Sequence, residues 1–337
     1  MTGNLYLMLC LVLLPSVAVA DEHPLDCKNS VLTVVESPDV FQGSPCDRSL
    51  VKVAYPRVGY VSGITGSDHV MTVRKKSDGA WVMSELTRTG AVVREYPLPL
   101  SLWTDQYIFS PDGKSYLYTD THRRWILRNL VTSTEDILFV PEAKIFEDLL
   151  HPAMSPDGKA IVFSYITSDG PSNPPIIRLC LVNVPQVFDP TECLERPGAF
   201  PSFSPDGLKL AYWELSKQQS DSAWNLVIRE VGALGQDSQA KTVAVKHFHG
   251  HYWDSRWIGP IRWSPDSQWI VWSEKDDPFS PYSQLFRRHV DGNDVHRIEL
   301  DRPWWITFLR KYVMSGDHNR FHFSFHWAAV SPLTDEK

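Results

Sequence analysis

Ser204-Pro205-Asp206-Gly207, with Phe203 before it and Leu208-Lys209-Leu210-Ala211-Tyr212-Trp213 after it, encodes a tight turn followed by a strand. Proline sets φ at about −65° for the second position of a tight turn. Aspartate bonds back to nearby backbone amides, and glycine accepts a positive φ. The tetrapeptide therefore closes a hairpin between two strands. The strand after it is apolar at nearly every position, which fits a strand covered on both faces. The turn recurs as Ser110-Pro111-Asp112-Gly113, as Ser155-Pro156-Asp157-Gly158 and, with serine in the place of glycine, as Ser264-Pro265-Asp266-Ser267. Phe109, Met154 and Trp263 precede these copies. Starting at residues 110, 155, 204 and 264, the copies are 45, 49 and 60 residues apart, a spacing that means an array of one supersecondary unit.

The last copy shows the rest of the unit. The run Ser283–Val290, the turn Asp291-Gly292-Asn293 and the alternating run Asp294–Leu300 form a second hairpin. Each unit thus reads as four antiparallel strands, the content of one propeller blade. The blocks Phe203–Trp213, Trp263–Ser273 and Leu285–Leu300 resemble the TolB-like (PD40, WD40-like) propeller repeat, and the resemblance runs from about residue 55 to residue 330. It implies an all-β propeller but says little of function, since such blades occur in periplasmic scaffolds, in the propellers of prolyl peptidases and in some polysaccharide lyases. TolB itself carries an additional N-terminal α/β domain, for which residues 21–55 are too short.

Two weaker copies extend the array. Before the first clear turn, Arg57–Ile64 and His69–Lys75 read as an inner pair of strands, with Ala80–Leu86 and Ala91–Tyr96 as the outer pair. After the last, Trp304–Tyr312 and Arg320–Trp327 have strand composition without the turn. The expected fold is a six-bladed β-propeller of four-stranded antiparallel blades over residues 56–330, with seven blades as the alternative and residues 331–337 as a tail. A closed ring must complete its last blade, because an open edge invites aggregation. The apolar segment Ser30–Val35, within residues 21–55, is a candidate for its outer strand.

Residues 1–20 read as a signal peptide: Leu5 to Leu14 is an apolar core, and Ala18-Val19-Ala20 is a small-residue cleavage site before Asp21. Cleavage leaves Cys27, Cys46, Cys180 and Cys193, an even set that suggests disulfides in a periplasmic or secreted chain. Three pairings are formally open; Cys27 with Cys46 and Cys180 with Cys193 need the least rearrangement. The net charge of −7 does not favour nucleic acid or an anionic membrane. No segment after residue 20 is long and apolar enough to span a bilayer, and a monomer is expected.

No Gly-x-Ser-x-Gly elbow, paired-cysteine zinc pattern or His-Glu-x-x-His motif is present. Asp112, Asp157, Asp206 and Asp266 recur with the turns, together with Gly113, Gly158 and Gly207, and are expected to cap them rather than to catalyse. The unusual cluster is His247-Phe248-His249-Gly250-His251-Tyr252-Trp253-Asp254. On an extended strand His247, His249 and His251 share one face, where, with Asp254, they offer ligands to a divalent metal. The competing reading of these imidazoles is loop packing among aromatics. Trp253, Arg256, Trp257, Trp304 and Trp305 are candidates for a binding face, against burial between blades.

The leading expectation is a non-catalytic, exported propeller that binds an envelope protein or peptide and needs no cofactor. The alternatives are a metal-assisted polysaccharide lyase or hydrolase using the region from His247 to Asp254, and a sensor holding a small ligand in the channel.

Overall fold

The computed structural model describes residues 30–300, apart from short connecting stretches (the longest being 44–48, 64–68, 99–107, 141–145, 169–175, 235–239, 249–257 and 277–283), and residues 323–329. The strands follow in chain order. The first three are β1 (Ser30–Glu36), β2 (Asp39–Gly43) and β3 (Ser49–Val53). A first quartet is β4 (Val58–Gly63), β5 (Val70–Lys75), β6 (Trp81–Leu86) and β7 (Val92–Pro97). A second is β8 (Ile108–Phe109), β9 (Ser115–Thr119), β10 (Trp125–Asn129) and β11 (Glu135–Phe139). A trio follows: β12 (Phe146–Met154), β13 (Ala160–Ser168) and β14 (Ile176–Asn183). Then come β15 (Gly198–Phe203), β16 (Lys209–Lys217), β17 (Ser222–Glu230) and β18 (Lys241–Phe248). The last are β19 (Ile258–Trp263), β20 (Trp269–Glu274), β21 (Gln284–His289), β22 (His296–Leu300) and β23 (Phe323–Ala329).

The architecture is an all-β propeller built from four-stranded antiparallel sheets. Each Ser-Pro-Asp-Gly turn joins the first strand of a unit to its second, and each unit then continues as a meander. The first strands lie side by side: β12 rests against β8 and β15, β15 against β19, and β23 against both β19 and β4.

The expectation of six separate blades is corrected to five sheets. The physical reason is a parallel junction. Glu299 and Leu300 of β22 pair with Ser49 and Leu50 of β3, merging two antiparallel quartets into one sheet of order β19-β20-β21-β22-β3-β2-β1-β23. A second correction concerns the N-terminal segment. It supplies three strands rather than one outer strand, and β1 lies inside, paired with β23 on one edge and β2 on the other.

Among the described residues the trio has no regular fourth strand. In its place Leu194 bridges Leu179, with the Leu194 amide donating to the Leu179 carbonyl at 2.8 Å. One step along, Cys180 and Cys193 face each other with Cα atoms 4.2 Å apart and form a disulfide. That spacing is close to the narrow pair of an antiparallel ladder, so the cross-link holds what a longer ladder would otherwise hold.

The core lies in the seams between units. Leu210, Ala211, Tyr212 and Trp213 are all fully buried, because β16 is covered on both faces; Leu208 at its start is exposed. Tyr212 packs with Val162 and Leu179 of the preceding unit, whereas Trp213 packs with Ile258, Ile261 and Trp272 of the following one. Two indoles tie that second seam: Trp213 Nε1 donates to the Gly259 carbonyl at 3.1 Å, and Trp263 Nε1 to the Ser202 carbonyl at 2.9 Å. A buried N–H that finds a carbonyl across a seam fixes how the two units register, since leaving it unpaired costs about 1–3 kcal/mol. No described helix is long and apolar enough to cross a membrane.

Candidate functional site

A four-stranded meander has two ends. The turns between first and second strands, and between third and fourth, fall at one end. The connections between second and third strands, and from one unit to the next, fall at the other. At the first end one turn recurs. Residues 110–114, 155–159, 204–208 and 264–268 make the same five-residue connection in four units.

Its hydrogen bonds repeat atom for atom. The Gly113 amide donates to the Ser110 carbonyl at 2.9 Å, and Gly158, Gly207 and Ser267 do the same at 2.8–2.9 Å. Asp112 Oδ1 accepts from the Ser110 hydroxyl at 2.6 Å and from the Lys114 amide at 3.0 Å. Asp157 takes Ser155 and Lys159 at 2.7 and 3.1 Å, and Asp206 takes Ser204 and Leu208 at 2.5 and 3.0 Å. Asp266 accepts from the Ser264 hydroxyl and from the Gln268 amide.

These bonds govern the carboxyls. Burial pushes Asp112 and Asp206 upward, but the donated serine hydroxyls and backbone amides outweigh it and hold both below the ordinary aspartate value. Asp157 is held down chiefly by the Ser155 hydroxyl, then by the Lys159 amide. A carboxylate committed in this way holds a turn. Gly113, Gly158 and Gly207 have φ between 68° and 73°, the left-handed region glycine enters freely. Ser267 has φ 60° in the variant copy, and its hydroxyl accepts the Asp206 amide of the neighbouring unit at 3.2 Å. The side chain that strains this turn also ties two turns together.

At the opposite end one candidate ligand, His247, is described. His247 stands near the end of β18, opposite Ala223 of β17, and is exposed. His249, His251, Trp253, Asp254, Arg256 and Trp257 belong to the connection from β18 to β19 and lie outside the described residues, as do Trp304, Trp305, Cys27 and Cys46. Among the described residues no group of three or more His, Cys, Asp or Glu side chains is placed to hold a metal ion. Lys246, next to His247, pairs with Glu274 of the following unit at 3.4 Å.

Sequence reasoning missed a third region, on the innermost strands. Both β12 and β15 carry a bulge, between Leu150 and Ala153 and between Ala199 and Ser202. The unpaired residues there are His151-Pro152 and Phe200-Pro201, four and three positions before the turn serine in each unit. Proline lacks an amide donor and so belongs at a bulge or an edge. His151 and Phe200 both have φ 52°. For non-glycine residues this costs roughly 1–3 kcal/mol each. Their rings stack with centroids 3.6 Å apart and planes 26° from parallel. Burial pushes the His151 imidazole down to about 3, so it is neutral at physiological pH. It nevertheless keeps some accessible surface, as does Phe200. The visible signal was the x-Pro step at the same distance before two of the turns.

Comparison of the sequence with known protein families and with characterised proteins finds no match. Among solved structures the chain is similar to an oligogalacturonate lyase in complex with manganese, at 14% identity over 80% of this chain and 84% of that one, with a TM-score of 0.43. It is similar to an oligogalacturonate lyase from Vibrio parahaemolyticus at 12% identity, over 80% and 86% of the two chains, with a TM-score of 0.45. It also matches 30% of the tricorn protease over 81% of its own length, at 12% identity and a TM-score of 0.43. Likeness at this level brings no chemistry to the present chain.

Proposed function

We propose that the chain is an exported β-propeller that works as a monomeric binding scaffold for an envelope protein or peptide, with the partner seated on the connecting-loop face. The observation that carries this reading is the contrast between the two ends. At the turn end, the four connections that carry the repeated turn share one length and one hydrogen-bond set. At the other end they run from four residues (218–221) through nine (249–257) to twenty-two (301–322). The third-to-fourth connections of the quartets, also at the turn end, run from five residues (130–134) to ten (231–240), so the loops vary most along the other rim, which is how a rigid fold presents a recognition surface. In sequence His247 precedes the connection 249–257, which holds His249, His251, Trp253, Asp254, Arg256 and Trp257, and Trp304 and Trp305 fall within 301–322; this reading assigns them to the rim.

The frame is read as a closed ring of TolB-like units. The eight-stranded sheet divides at its parallel junction into two quartets, β19 to β22 and β3-β2-β1-β23. The contacts of β23 with both β19 and β4 support closure of the ring at that quartet, with residues 21–55 completing it. Export is supported by the disulfide between Cys180 and Cys193, which persists in oxidising compartments, and by the leader-like layout of residues 1–20. The test is affinity capture from the native envelope, comparing the mature protein with a variant whose residues 249–257 are replaced by a Gly-Ser linker of equal length. Loss of the captured partner with an unchanged melting midpoint is expected; equal capture by both overturns the assignment to this rim.

A second reading, metal-assisted cleavage of a polysaccharide, is favoured by the alternation of His247, His249 and His251 with Asp254 nearby, and by the exposure of His247. Metal analysis of protein purified without a histidine tag separates the two. Stoichiometric Zn, Mn or Ca, with melting lowered by chelator, supports the enzyme; no metal and unchanged melting remove it.

A further inference from the structure

The seam between the trio β12–β14 and the quartet β15–β18 holds two buried polar atoms with no partner, His151 Nδ1 and Ser164 Oγ. They are close in the fold. Ser164 pairs with Leu150, the residue before His151, and lies on the β13 face that also carries Val162 and Ile166. Val162 packs with Tyr212 of the neighbouring quartet, and Ile166 packs against the cluster that Phe200 also touches. His151 stacks on Phe200 across the same seam. Buried polar groups in folded proteins are nearly always satisfied, so two unsatisfied ones in one seam ask for a missing partner. Among the described side chains the charged groups facing the seam answer each other: Arg229 Nη2 meets Glu214 Oε2 at 3.2 Å, and Arg229 Nε donates to the Tyr212 hydroxyl at 2.8 Å. These described groups offer hydrogen bonding without net charge.

The geometry points to a ligand subsite on the inner wall of the propeller, formed by His151 and Ser164 with Phe200 as its backing, for an uncharged small molecule bearing hydroxyl or carboxamide groups. A neutral imidazole presents one donor and one acceptor, and a serine hydroxyl presents both. A hydroxyl or amide matches that pair, whereas an ion would be buried without a counter-charge. Both bulges hold their rings in strained backbone toward one another, which fixes the imidazole's position before any ligand arrives. This subsite is separate from the loop rim and stands or falls independently of the partner reading.

The test is imidazole nitrogen NMR on protein labelled with 15N-histidine, with the His151 signals assigned by His151→Gln. Acetamide and glycerol are the neutral probes; sodium acetate and methylammonium chloride are the charged ones. At least one neutral probe is expected to shift the His151 nitrogens saturably, with neither charged probe doing so. Ser164→Ala removes an unpaired hydroxyl and so keeps the fold, and it is expected to weaken that binding about three- to tenfold, the value of one hydrogen bond. No saturable shift with either neutral probe, equal shifts with the charged probes, or an affinity unchanged in Ser164→Ala would each overturn the subsite.

Discussion

Ser267 is the residue at which the repeat departs from its own rule and shows why the rule exists. Glycine at this place costs nothing for a positive φ, and serine pays for it, yet the serine hydroxyl accepts the Asp206 amide of the neighbouring turn. Ser267→Gly relieves the backbone but loses the bond, so its stability should stay within about 0.5 kcal/mol of wild type; Ser267→Ala keeps the strain and loses the bond, and should cost about 1–2 kcal/mol. Urea unfolding midpoints of the two variants check the order. His151 sets a pH dependence. Its ordinary pKa of 6.5 falls to about 3 in the folded chain through burial, so between these values the unfolded state binds the extra proton. Stability is then complete above 6.5 and declines as pH falls toward 3. The loss between pH 7 and pH 5 should be about 1–2 kcal/mol, allowing for the accessible fringe of the ring. The turn aspartates, held below their ordinary 3.8, lose their contribution only at lower pH. Urea melts at pH 7 and pH 5 should therefore differ in wild type and converge in His151→Gln.

At the scale of elements, the bulge of β19 repeats that of β15 with glycine in a crowded place. A Cβ at Gly259 would stand 2.1 Å from Ser273 Oγ but 3.4 Å from Ser273 Cβ. Gly259→Ala should destabilise by about 1–3 kcal/mol through overpacking, and Ser273→Ala should recover most of that loss in the double variant. Additive losses in a double-mutant cycle would show that the crowding lies elsewhere. The legibility of elements divides along the same line. Turn residues announce themselves, because proline, aspartate and glycine each act within four residues, so the hairpins at 110, 155, 204 and 264 could be read directly from the chain. The bulges could not. Whether His151 or Phe200 sits in or out of a ladder depends on strands β13 and β16 and on the neighbouring unit, none of which local sequence displays. The parallel contact of β22 with β3 was equally hidden, since two residue pairs joining chain segments some 250 positions apart leave no periodic trace. The cysteines fell between: the pairing of Cys180 with Cys193 followed from short separation, but only the Leu179–Leu194 bridge explains why they face each other.

At the scale of the whole molecule, the two ends divide the labour. One end repeats a single turn and ties the units together, as the Asp206–Ser267 bond shows. The other varies more widely in length from connection to connection, and exposed His247 stands beside it. The longest interval between turns, from 204 to 264, comes from the long strands β16, β17 and β18 and the ten-residue connection 231–240 as much as from the nine-residue connection 249–257. The central claim is that a partner meets this rim and not the turn face. His247 and Lys159 are both exposed and stand at opposite ends of their units. A photo-crosslinking amino acid placed at position 247 or at position 159, in mature protein within its native envelope, tests the claim most directly. A discrete crosslinked adduct from position 247 and none from position 159 is the predicted result; an adduct from position 159 alone, or equal adducts from both, would contradict it.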